Sequence, residues 1–169
     1  VQRAVSSFCP KDWTSDAPTG VVNIGETKAE ILVIREGKVA FVRSLPLGLD
    51  KFTESIARRM NIDKEGMARI VGAMEEGRDV NDSIKKAVRA AVRPEMEFLS
   101  AEVQTCFRYF SVNNQNTAVG QVVVFGNGTT LLAGKEFIEE RLHLPVHLWE
   151  KEMRGAGEGA DGLDAHLED

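Results

Sequence analysis

The chain has 169 residues, 43% of them hydrophobic and 28% charged, with a formal net charge of -5 and a pI near 5.3. That length supports one domain with a real core, and the acidic balance argues against a nucleic-acid groove or an anionic membrane patch as the default partner. No apolar run approaches the roughly 18 to 20 residues that a bilayer span requires, and the opening VQRAVSSFCPKDW lacks the continuous apolar core of a signal peptide.

Residues 1–20 read as the end of a helix followed by a polar, proline-containing linker, CPKDWTSDAPTG. A first strand is expected over Val21–Gly25, and AEILVIREGKVAFVRSL then alternates as a hairpin turning at Glu36-Gly37. From Asp50, a candidate N-cap, the period becomes helical with Phe52, Ile56 and Met60. A second helix starts near Asp63, carries Met67, Ile70, Val71 and Met74, and closes at Gly77. The longest helical run has one stripe of Ile84, Val88, Ala91 and Val92 and another of Met96, Leu99, Val103, Cys106, Phe107 and Phe110. Pro94 between them kinks the helix or starts a new one. QVVVF has the continuous apolar character of a buried parallel strand. A helix over TTLLAGKEFIEERLHL and a short strand PVHLW follow, and the acidic, Gly-rich stretch 151–169 is expected to be disordered. The order β-β-β, helical block (about 50–112), β-α-β implies an α/β fold with a mixed five-stranded sheet and the helical block on one face or end.

Two loops invite chemistry. Asn23-Ile24-Gly25 ends a core strand, where a glycine lets backbone N–H groups approach a phosphate or merely turns a corner. Gly126-Asn127-Gly128 ends another, with Thr129 after it and Gly134 within the first helical turns; such a loop lies flat against a ligand or simply joins strand to helix. The literal GxGxxG at Gly157–Gly162 follows no strand and opens no helix, so it fails the context of a dinucleotide fingerprint. His143 and His147 are separated by Pro145 and share no helical face, so no metal site is expected. No nucleophile–base constellation can be assembled either. Lys85, Lys86, Arg89 and Arg93 form a basic stripe that reads first as a solvated helix face. Cys9 and Cys106 lie outside any CxxC spacing and read as reduced thiols of a cytoplasmic protein.

Taken together, VVNIGETKAEILVIREGKVAFVRSLPLGLDKFTESIARRMNI, SAEVQTCFRYF and VVVFGNGTTLLAGKEFIEERLHLPV resemble the second half of an actin-like protein. Within that superfamily they are most similar to the PilM group, the cytoplasmic actin-like component of type IV pilus assembly, with relatives in type II secretion and in the cell-division protein FtsA. The RxxPLG and TESIA elements carry the more specific part of the likeness, which spans residues 21 to about 148. The resemblance implies a ribonuclease-H-like half-domain over 21–150 with sheet order 3-2-1-4-5, and a first half-domain upstream of Val1. It also implies that Asn23, Gly25 and Thr27 belong to a phosphate loop, and that Gly126, Asn127, Gly128, Thr129 and Gly134 belong to the adenosine loop, for ATP with Mg²⁺. The implied partners are membrane-anchored pilus or secretion assembly proteins that hold the protein at the inner membrane, with self-association as a further reading.

The departures from the family pattern matter as much. Asn23 stands where the family has an Asp that helps hold Mg²⁺ through water, and its neutral amide makes hydrolysis doubtful. Ala68 and Val71 stand where relatives carry a Glu and a Lys that reach the nucleoside, Asn127 replaces one of a paired Gly, and Ala133 replaces a Pro. The expectation is a scaffold with no catalytic residues of its own in this chain. The alternative is half of an active actin-like ATPase or sugar-kinase-type phosphotransferase.

Overall fold

The computed structural model describes residues 17–76, 78–126 and 135–148. Five strands form one sheet: β1 (Thr19–Ile24), β2 (Ala29–Arg35), β3 (Lys38–Leu45), β4 (Gln121–Phe125) and β5 (Val146–Leu148). Their spatial order is β3-β2-β1-β4-β5, with β1, β2 and β3 antiparallel and β4 and β5 parallel to β1 and to each other. This is the order that the family resemblance implies. Glu36 and Gly37 both have positive φ, 52° and 72°, as a two-residue hairpin turn requires to match the strand twist. β1 begins at Thr19, two residues before the expected Val21.

Four helices are described: α1 (Leu49–Met60), α2 (Lys64–Glu75), α3 (Asp82–Asn113) and α4 (Lys135–Leu142). Strand alternation puts Val22, Ile24, Ala29, Ile31, Val33, Val122, Val124 and Val146 on one face, and that face shares a single core with α1–α4. The predicted stripes point there: Phe52 and Ile56 of α1, Met67 and Val71 of α2, Val88, Val92, Met96, Leu99, Val103 and Phe110 of α3. Gly20 makes room for the closest approach. A Cβ there would overlap the Phe107 ring, whose Cε1 lies 2.9 Å away. The other face carries a smaller cluster of Val21, Leu32 and Ile34 with Val39 and Phe125.

One detail narrows the expectation and two depart from it. Of the two readings of Pro94 a new start is excluded, since α3 runs 32 residues through it. Ile84 is exposed rather than part of the stripe. Asp50 lies in the first turn of α1, whose N-cap is Gly48. The expected helix end in 1–8, Gly77, the start of the last predicted helix and the acidic tail lie outside the described residues.

Candidate functional site

β1 and β4 are parallel neighbours, Asn23 pairing in register with Phe125, so the segments that follow them leave the same edge of the sheet. From there the chain passes to β2 on one side and, through α4, to β5 on the other. In open α/β sheets ligands usually lie beyond the carboxyl ends of the parallel strands. Asn23, Gly25, Thr27 and Gly126 are brought together at this edge. Asn127, Gly128, Thr129 and Gly134 lie outside the described residues.

Gly126 is required by its place. Its φ is +111°, and a Cβ would overlap Ile24 O and come within 2.9 Å of Asn23 Oδ1. The backbone after β4 therefore lies directly against the end of β1.

The turn between β1 and β2 is tied down differently. Gly25 N–H donates to Lys28 O at 2.9 Å, while Leu49 and Asp50 N–H donate to Gly25 O and Glu26 O, both at 3.0 Å. Two of the first N–H groups of α1, which have no partner within the helix, thus find one in the turn, and no side chain caps the helix. Gly48 allows the contact, since a Cβ there would overlap Glu26 O and lie 2.5 Å from Thr27 C. Thr27 sits exposed at the tip. The N–H groups of Glu26 and Thr27 take no partner among the described residues.

On the sheet face opposite the helices, Asn23 stands across from Glu30. Asn23 Nδ2 is 3.5 Å from Glu30 Oε2, and Lys28 Nζ is 3.0 Å from Glu30 Oε1. The Glu30 side chain is 13% exposed and that of Lys28 58%. Sequence reasoning named Asn23 and missed these two, although strand alternation alone puts Glu30 beside it. A hard divalent cation takes oxygen ligands, carboxylates above all. Here Asn23 offers a neutral amide, and the one adjacent carboxylate already pairs with an ammonium. The residues present do not fit a Mg²⁺ ion at this position. Among the described residues no group of three or more His, Cys, Asp or Glu gathers elsewhere to hold a metal.

A cavity of about 410 Å³ lies between α3 and the end of α4, lined by Glu97, Ser100, Ala101, Gln104, Glu140, Arg141 and His143. Of the predicted site residues that are described, none lines it.

The model of the family described as type IV pilus assembly protein PilM matches residues 2–154. The chain belongs to the PilM family. Among solved structures, it is similar to a chain of a PilM-PilN type IV pilus biogenesis complex, with a TM-score of 0.64, 20% identity, and coverage of 88% of this chain and 39% of that one. The ethanolamine utilization protein EutJ from Carboxydothermus hydrogenoformans gives 0.60 at 25% identity, over 78% of this chain and 44% of its own. MreB 5 of Spiroplasma citri bound to AMPPNP gives 0.54 at 11% identity, over 88% and 53%. This PilM chain therefore spans under half the length of the first two relatives, and its fold is the actin-like, ribonuclease-H-like half-domain. No curated protein matches it. No described helix is long and apolar enough to cross a membrane.

Proposed function

We propose that this PilM-family chain is the second half-domain of a cytoplasmic actin-like scaffold in type IV pilus assembly or the related type II secretion machinery. The family match over residues 2–154 carries the assembly role. A solved relative in complex with PilN supports a partner of the same kind, a membrane-anchored pilus protein that keeps the scaffold at the inner membrane. ATP is the ligand proposed for the edge formed by Asn23, Gly25, Thr27 and Gly126, continued by Asn127, Gly128, Thr129 and Gly134. At the end of β1 itself Asn23 is uncharged and Glu30 is already paired, so the position that holds the family's Mg²⁺-positioning Asp offers no free carboxylate, and we assign this edge no turnover. The ligand would act as a structural piece or switch.

The test uses the full-length protein with its membrane-anchored pilus partner. Expected are a stable complex and ATP hydrolysis at background. Sustained hydrolysis overturns the scaffold reading, and absence of any complex overturns the assembly reading. Concentration-dependent light scattering would instead reveal a self-assembling subunit.

A further inference from the structure

We infer that the β1–β2 turn binds the phosphates of its nucleotide without a divalent cation, with the Lys28 ammonium supplying the positive charge. This rests on the nucleotide-site reading above and goes beyond it, because it names the form of the ligand: free nucleotide anion rather than its Mg²⁺ complex.

Three observations converge. Lys28 Nζ lies 3.0 Å from Glu30 Oε1, which places a cation beside the end of β1. An ammonium has three donors, and with one on Glu30 and a side chain 58% exposed, two remain for a ligand. Glu26 and Thr27 present N–H groups at the tip of the same turn that take no partner among the described residues. Successive backbone N–H groups in a turn, flanked by a lysine, suit a phosphate oxygen. A divalent cation meets the opposite conditions. At the end of β1 it would have to displace Lys28 from Glu30, or sit beside its like charge and take the neutral Asn23 amide oxygen as a ligand. Glu26, the acidic side chain of the turn, opposes any anion, so its removal should strengthen binding.

The experiment is a backbone NMR titration of this chain with ATP, once in EDTA and once with excess Mg²⁺. Expected are saturable shifts at Glu26, Thr27 and Lys28 in EDTA, at ATP concentrations no higher than those needed with Mg²⁺. Lys28→Met, whose fold the same spectra check, should weaken binding by about tenfold or more, the change one charge-assisted hydrogen bond carries. Glu26→Gln should tighten it. Asn23→Asp should restore a preference for the Mg²⁺ complex. Shifts that require Mg²⁺ overturn the inference and leave the nucleotide site standing. Shifts in neither condition overturn both. Binding in EDTA that Lys28→Met leaves unchanged removes Lys28 from the site.

Discussion

A Cβ at Gly20 would occupy space filled by Phe107, so the distance between α3 and β1 is set by one absent methyl group. Gly20→Ala should destabilise by about 1–3 kcal/mol, the usual cost of overpacking. Phe107→Leu in the same molecule should recover part of that loss. A double-mutant cycle by urea denaturation measures it, and strict additivity would show that the two positions do not share the space. Near by, Cys106 is buried, and burial raises its thiol pKa, while Arg43 acts in the other direction. The thiol ionises less readily folded than unfolded. Its contribution to stability is therefore fully present below the unfolded value of about 8.5 and is lost as pH rises through the higher folded value. Urea midpoints from pH 7 to 10 should fall more steeply for the native chain than for Cys106→Ala. Equal slopes would assign the alkaline loss to other groups.

Among the elements, α1 and α3 are joined by a polar clasp as well as by their core stripes. Ser55 Oγ donates to Glu95 Oε1 at 2.6 Å, and Arg59 reaches Glu95 and the Ala91 carbonyl. Pro94 lies within the same turn, and the helical bond it removes is the one to the Ala90 carbonyl, next to the carbonyl that Arg59 reaches. Pro94 is exposed and packs into no core, so Pro94→Ala should stabilise α3 by about 1–3 kcal/mol. A thermal melt checks this, and a loss instead would mean that the clasp depends on the interrupted ladder. Most of this level was legible in the sequence. Six of the ten predicted inward positions of α3 lie beyond Pro94 (Met96, Leu99, Val103, Cys106, Phe107, Phe110), and all six are buried, because helical period alone places them. Ile84 failed since it belongs to the first turn of a helix whose core contact begins at Val88. The Asp50 cap failed for a better reason. Its role is taken by carbonyls of a turn more than twenty residues upstream, and no local rule reads a partner that only the tertiary fold brings near.

At the scale of the whole molecule, the sheet is graded from centre to edge. β1 and β4 are buried on both faces, whereas β3 is an edge strand whose residues are mostly exposed. Native-state hydrogen exchange should find the slowest amides in β1 and β4 and the fastest strand amides in β3; the reverse order would mean that the sheet does not open from that edge. That the loops after β1 and β4 share an edge was legible for the same reason the sheet was: segments after neighbouring parallel strands leave it together. The charge arrangement there was not, because the pairing of Lys28 with Glu30 depends on side-chain direction. The seating of the β1–β2 turn on the first N–H groups of α1 has a mechanical consequence. Whatever grips the turn tip also pulls on the start of α1, and α1 leans on α3 through Ser55 and Glu95. The Leu49 and Asp50 amides are thus strain gauges for the loop, and a shift in their hydrogen bonds would report a pull on its tip.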